Sequence, residues 1–279
     1  MTTLFAWARP AFVQGFPFDH TWVTDYDNRV KNYPAINAVV SDGQNYWYCW
    51  GDYHILGGTP SYPDGFLGGD IGSLPLAQCI CEPNLISKGN PSAKGTIFNY
   101  GIDGVCHQLA NQVLYATNSK LLVHNARGYM LSSARYGDYG SNSSAFWAKV
   151  SNCRSNAQSY RDNLRIAKEP TMQTLDTFEK RAAAVLRGPD GARKLKKVIS
   201  MRRAYRQRLA MVSRQMAETE SPSPTAAQLN AMNHEFFAEI AKLIGPIAYQ
   251  TIFEVPPGME VNLVDENQME EQAAFPMSR

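Results

Sequence analysis

The distribution of glycine and of apolar periodicity divides this chain of 279 residues into two unlike parts. Residues 1 to about 150 are rich in glycine, tyrosine, tryptophan and asparagine, and short β-like runs alternate there with turn signals. From about residue 155 to 245 glycine nearly vanishes, and apolar residues recur at the spacing of amphipathic helices. We therefore expect an α+β fold, in which a small antiparallel sheet carries a packed helix and a C-terminal helical module follows.

The same change in pattern sets the expected domain boundaries. Residues 1–154 are predicted to form the α+β domain, and residues 155–255 a helical hairpin or small bundle. Gly-Pro pairs at 188–189 and 245–246 separate the apolar stripes of that second unit, as expected at helix boundaries. The acidic segment 256–279 is expected to be a loosely ordered tail.

Within the first part, five segments have the pattern of strands. These are 3–8, which Pro10 is expected to close, and the segments 20–25, 45–50, 53–56 and 121–125. The last of them would follow directly on a predicted helix that begins at Cys106.

Charge and cysteine usage place broad limits on the class of protein. The net charge of +2 indicates no particular partner, and no apolar run reaches the roughly 18 residues of a membrane-spanning helix. The N-terminus lacks a basic region ahead of a long apolar stretch, so no signal peptide is expected. Five cysteines, an odd number, fit free thiols in a reducing compartment better than a disulfide framework. We expect a cytoplasmic protein, with export by a dedicated secretion system left open.

Cys106 is the strongest candidate for a reactive group. Gly101 and Gly104 flank a turn, and helical periodicity begins directly after it, so Cys106 is predicted to lie at a helix N-terminus. The unpaired N–H groups and the positive end of the helix dipole favour a thiolate there. Backbone N–H groups near Gly104 can bind an oxyanion, and Gln108 is a candidate to assist them. The alternative is a small buried thiol without chemistry.

A cysteine nucleophile needs a base, and the base needs an orienting group. Alternation places His20 and Trp22 on one face of their strand, so Trp22 is expected to line the pocket with His20. It places Asp52 and His54 together on one face of a later strand. His107 points about 100° away from Cys106 on the helix, so it is expected to line the pocket rather than act as the base.

A histidine strand that precedes the cysteine helix resembles the circularly permuted papain-like superfamily, the branch of NlpC/P60-type and lecithin:retinol-acyltransferase-like proteins. The resemblance covers roughly residues 1–150. It implies Cys106 as nucleophile, His20 as base and His54 or Asp52 as third residue, in a hydrolase or acyltransferase acting on a peptide-like amide or an ester through a thioacyl-enzyme. No metal or other cofactor is implied. The usual Asn-Cys-Glu-His cluster is replaced here by Gly-Val-Cys-His-Gln, which leaves the substrate open.

Two other assignments remain open for the same residues. His124 is the alternative base, which would follow the cysteine as in the unpermuted order. A metal site from His20, His54, Cys106 and His107 lacks the tight spacing that metal ligands usually show.

A basic segment, 187–208, suggests a function of a different class. It contains nine basic residues and one acid, Asp190. Such a helix is usually a solvated face, but it also suits a non-catalytic binding or adaptor protein that recognises an anionic partner. The basic residues are Arg187, Arg193, Lys194, Lys196, Lys197, Arg202, Arg203, Arg206 and Arg208.

Overall fold

The computed structural model describes residues 1–13, 16–27, 46–48, 65–82, 84–85, 99–141, 143–156, 176–219 and 224–274. These residues form an α+β fold, as the sequence predicts. The strands are β1 (Thr2–Val13), β2 (Phe16–Thr24), β3 (Tyr46–Tyr48), β4 (Gly65–Gly72) and β5 (Asn84–Leu85). They make one sheet in the order β4-β1-β2-β3-β5, and every pairing is antiparallel.

The predicted end of the first strand at Pro10 is wrong, because β1 continues to Val13. Strand β4 pairs with β1 only as far as Ala8, so within the described part of the chain the remainder of β1 is an edge on that side. Pro10 lies opposite Asp19 of β2. A proline is tolerated on such an edge because its missing N–H interrupts no ladder there.

Nine helices are assigned within the described residues. They are α1 (Leu74–Ile80), α2 (Cys106–Leu114), α3 (Tyr129–Tyr136), α4 (Ser143–Asn156), α5 (Thr177–Val185), α6 (Gly188–Thr219), α7 (Ala226–Ile244), α8 (Pro246–Phe253) and α9 (Glu266–Ala274). Helix α2 packs on strand β2, which is the predicted arrangement of a cysteine helix on the sheet. Among the described residues, no helix is both long enough and apolar enough to cross a bilayer.

The C-terminal helices pack against the first part of the chain. Helix α3 contacts α5, α6 and α8, and one cluster of buried apolar side chains contains residues from both sides of the predicted boundary at 154. The boundary itself adjoins residues 157–175, which lie outside the described part. The described portions of the two predicted units therefore share a hydrophobic core.

The expectation of free thiols throughout is wrong. Cys79 of α1 and Cys153 of α4 form a disulfide with their Cα atoms 5.8 Å apart. The two helices pack side by side, which brings together cysteines 74 positions apart in the sequence. This bond removes the argument from cysteine usage for a reducing compartment. Cys81 and Cys106 are the free cysteines among the described residues.

The strand predicted over 121–125 is absent from the structure. The backbone there bonds to side chains instead of a ladder: the N–H of Leu121 donates to Thr117 Oγ1 at 2.9 Å, and that of Val123 to Asn111 Oδ1 at 2.9 Å. Side-chain oxygens on and just after α2 thus accept hydrogen bonds from backbone N–H groups of this segment and hold the segment beside the helix.

The segment after Pro256 also differs from the loosely ordered tail that the sequence suggests. Val261, Leu263 and Val264 are buried in the core, and α9 follows them. Asn230 of α7 binds the backbone of this segment with two hydrogen bonds. Its Nδ2 donates to Val264 O at 2.8 Å, and its Oδ1 accepts from Val264 N at 2.9 Å. Residues 275–279 lie outside the described part.

Candidate active site

Cys106 is the first residue of α2, which confirms its predicted place at a helix N-terminus. The turn before it is closed by Gly101, whose φ is +78° and whose N–H donates to Gly104 O at 2.8 Å. Asn99 supports the same turn by donating its backbone N–H to Asp103 Oδ2 at 3.2 Å. These short-range hydrogen bonds fix the turn that precedes Cys106, so that the helix begins at this residue.

A small cavity contains the candidate nucleophile and the candidate base. Strand β2 contributes Asp19 and His20 to its wall, and the start of α2 contributes Cys106 and His107. The C-terminal segment closes the cavity from a third side with Asn262, Leu263, Asp265 and Gln268. Two elements far apart in the sequence thus bring His20 and Cys106 into one site.

Burial governs the protonation of Cys106. It raises the pKa of the thiol to about 11, although hydrogen bonds from the Thr21 backbone and the His107 backbone oppose this increase. The Thr21 hydroxyl also approaches the sulfur and lowers the pKa, without the geometry of a full hydrogen bond. The negative charge of Asp265 raises the pKa further. The helix N-terminus favours a thiolate, but desolvation outweighs it here, and Cys106 is a neutral thiol near pH 7.

His20 is buried on β2, opposite Arg9 of β1. Its ring stacks on that of Trp22 with centroids 5.9 Å apart, as expected for two residues that share a face of a strand. Trp22 is fully buried and lies outside the set of residues that line the cavity. The assignment of His20 as base stays a prediction.

His107 is a structural link as well as part of the cavity wall. Its Nε2 lies 2.9 Å from Asp19 O and its Nδ1 2.8 Å from Ser132 Oγ. A carbonyl only accepts, so Nε2 carries the proton, and Nδ1 faces the Ser132 hydroxyl, whose Oγ also lies 3.0 Å from its acceptor Tyr129 O. Burial lowers the pKa of His107 to about 4, which keeps the ring neutral near pH 7.

Gln108 stabilises the helix start. Its Oε1 accepts the Val105 N–H at 3.1 Å, and its Nε2 donates to Gly137 O at 3.0 Å. These bonds hold the amide within the protein, which gives no support to the idea that Gln108 binds an oxyanion. Gly104 is buried, and its carbonyl is engaged by Gly101 in the turn.

The remaining predicted site residues fall elsewhere. His124 is exposed, its Nδ1 lies 3.2 Å from Leu122 O, and it does not line the cavity. Asp52 and His54, the candidates for a third catalytic residue, lie outside the described residues. In the described part of the chain, no three His, Cys, Asp or Glu side chains are placed to hold a metal ion.

Sequence reasoning missed the contributions of Thr21 and of the C-terminal segment. Thr21 is fully buried and approaches the Cys106 sulfur from β2. The sequence contains one signal that the C-terminal segment is buried: three apolar residues stand close together inside an acidic stretch, Val261, Leu263 and Val264. Nothing in the sequence indicates that this packing occurs at Cys106.

The basic segment 187–208 is less uniform than its composition suggests. Arg202 is buried, with ion pairs to Asp176 and Glu179 and hydrogen bonds to the carbonyls of Ser133 and Ala134. On the surface, Arg193 and Lys194 pair with Asp190. Four basic residues of α6 remain exposed without an ion pair among the described side chains: Lys196, Lys197, Arg203 and Arg208. This is a modest charge for an anion-binding surface.

No protein-family model, curated protein or solved structure gives a significant match to this chain.

Proposed function

We propose that this protein is a cysteine-dependent hydrolase or acyltransferase that acts on an amide or ester bond through a thioacyl-enzyme. One observation carries the proposal: Cys106, the first residue of a helix, and His20, on the strand that packs against this helix, line the same cavity. The chain order, with the histidine strand before the cysteine helix, agrees with the resemblance to permuted papain-like proteins.

Because the Cys106 thiol is protonated, the base has to remove its proton before or during the attack on the substrate. Because the pKa of Cys106 is raised to about 11, the sulfur carries its proton near pH 7 and is a weak nucleophile. In the proposed mechanism, His20 takes this proton as the sulfur attacks the carbonyl carbon of the substrate. Backbone N–H groups at the start of α2 stabilise the oxyanion. His20 then protonates the leaving group, and water or an amine attacks the thioester to release the acyl group and restore the thiol.

His107 and His124 suit this role less well. Both ring nitrogens of His107 are engaged by Asp19 and Ser132, and its low pKa makes it a poor proton acceptor at neutral pH. His124 is exposed and away from the cavity. Asp52 or His54 stays the predicted orienting group for His20.

An activated ester tests the proposal without knowledge of the natural substrate. We expect p-nitrophenyl acetate to release nitrophenol in a burst and to leave an acetyl group on the peptide that contains Cys106, as mapped by mass spectrometry. Cys106→Ala removes the burst and the adduct. His20→Asn slows acylation by about 100-fold or more, the usual contribution of general base catalysis.

His124→Asn is the matched control, since it removes a histidine of the same type outside the cavity. It should leave the burst unchanged. An undiminished burst in His20→Asn would exclude His20 as base, and acetylation spread over lysines with none at Cys106 would exclude the enzyme function.

A further inference from the structure

The cavity at Cys106 has an uneven distribution of charge. Among the described residues that line it, two are acidic, Asp19 and Asp265, and none is a lysine or an arginine. Asp19 is neutralised by Arg127, whose Nη2 lies 2.8 Å from Asp19 Oδ1 and whose backbone N–H donates to Oδ2 at 2.9 Å. His107 is neutral, because burial lowers its pKa to about 4. Within the described part of the chain, no basic side chain pairs with Asp265.

Contacts on both sides of Asp265 fix its position. The backbone of Val264 is held by two hydrogen bonds to Asn230, and the Asp265 N–H lies 3.5 Å from the Tyr100 hydroxyl. Val264 also packs on Gly101, where a Cβ would come within 2.7 Å of Val264 Cγ1. Asp265 Oδ1 accepts from the N–H of Asn267 at 2.9 Å, which caps the start of α9. The carboxylate is therefore held in the cavity wall by the core.

The charge of Asp265 acts on the reacting sulfur. Burial is the main cause of the raised pKa values of the Cys106 thiol and the Tyr100 hydroxyl, and the negative charge of Asp265 adds a smaller increase to both, so both groups lie within range of its field. Asp265 is half-buried, so its charge is screened less than that of a fully exposed side chain, and it attracts cations and repels anions in the cavity more strongly than a surface charge does.

We infer that Asp265 makes the Cys106 cavity selective for acyl substrates that carry a positive charge or hydrogen-bond donors near the scissile bond, and that it excludes anionic ones. The neutral polar side chains of Asn262 and Gln268 line the same wall and suit a polar acyl group. This inference rests on the proposed function, whose substrate class it names.

Two thiol reagents of opposite charge test the inference directly. Aminoethyl methanethiosulfonate is a cation and sulfonatoethyl methanethiosulfonate an anion; in each case the thiolate attacks the sulfenyl sulfur, methanesulfinate leaves and a mixed disulfide forms. The measurement is the ratio of the two rates at Cys106, followed by mass spectrometry. A change in the pKa of Cys106 alters both rates equally, so the ratio reports only the charge of the cavity.

Asp265→Asn should lower the ratio of cationic to anionic rate by about tenfold, the effect of removing one half-buried charge from the cavity wall. The asparagine can still cap α9, since its carbonyl can accept the Asn267 N–H. Glu266→Gln is the matched control, because it removes the same charge one residue away on an exposed side chain outside the cavity wall. It should change the ratio less than twofold.

Salt gives a second measurement on the unmodified protein. The ratio should fall as ionic strength increases, because the field of Asp265 is screened. Equal ratios in Asp265→Asn and Glu266→Gln, with Cys106 still reactive, would overturn the inference and leave the proposed function intact. A Cys106 that reacts with neither reagent would overturn both.

Discussion

His107 joins the cysteine helix to the histidine strand: its Nε2 lies 2.9 Å from the carbonyl oxygen of Asp19. His107 follows Cys106 in sequence and Asp19 precedes His20, so one hydrogen bond connects the neighbours of both candidate catalytic residues. The bond to Ser132 ties the same ring to helix α3. The relative placement of the cysteine helix and the histidine strand therefore depends on the contacts of one buried imidazole.

Protonation of His107 should destabilise the protein in acid. The pKa of His107 is about 4 in the folded state, against 6.5 for an unperturbed histidine, so between these values the unfolded chain binds more protons. Stability therefore falls as the pH decreases from 6.5 towards 4, by on the order of 3 kcal/mol for this residue. Urea unfolding at several pH values measures the loss. His107→Gln should flatten this slope while His124→Gln keeps it, and equal slopes in the two variants would refute the role of His107.

The rate of alkylation of Cys106 should rise with pH far beyond neutrality. With a pKa of about 11, the thiolate fraction increases about tenfold per pH unit between pH 7 and 10. Iodoacetamide labelling of the Cys106 peptide measures this, with the protein unfolded in urea as the reference, whose rate should level off near pH 9. A plateau close to pH 7 in the folded protein would instead indicate a thiolate–imidazolium pair with His20.

Adjacent arginines of α6 should differ sharply in their effect on stability. Arg202 is buried against Asp176 and Glu179, whereas Arg203 is exposed. Arg202→Ala removes the cation that pairs with Glu179 and leaves Asp176 with Arg206 alone, 3.8 Å away. It should cost about 3–5 kcal/mol of unfolding free energy. Arg203→Ala should change it by less than about 0.5 kcal/mol. Urea titrations measure the unfolding free energy of each variant. Similar decreases for both variants would show that Arg202 is not buried in solution.

The Cys79–Cys153 disulfide should contribute measurably to stability. The bond closes a loop of 74 residues, for which the chain-entropy model gives about 4 kcal/mol. Reductant should therefore lower the melting temperature of the protein. The double variant Cys79→Ala/Cys153→Ala should melt at the lower temperature and show no response to reductant. Two free thiols at these positions in the protein purified without reductant would contradict the pairing.

Local patterns gave reliable information where short-range physics decides the structure. The Gly101–Gly104 turn into a helix at Cys106 was predicted because the turn and the helix start are set by neighbouring residues. The segment 121–125 was misassigned because its backbone partners, Thr117 and Asn111, are side chains of the preceding helix region rather than a strand. A short apolar run has the same sequence pattern whether its backbone pairs with a strand or bonds to side chains of a helix.

The sequence by itself determined the α+β class, the helix start at Cys106 and the facing of His20 with Trp22, since periodicity and turn chemistry act over a few residues. Only the tertiary structure decided that His20 and Cys106 share a cavity, that Cys79 meets Cys153, and that Asp265 reaches the site from the C-terminal segment. These juxtapositions come from the packing of distant elements around one core. That packing also buries the thiol, so desolvation rather than the local helix dipole sets its pKa.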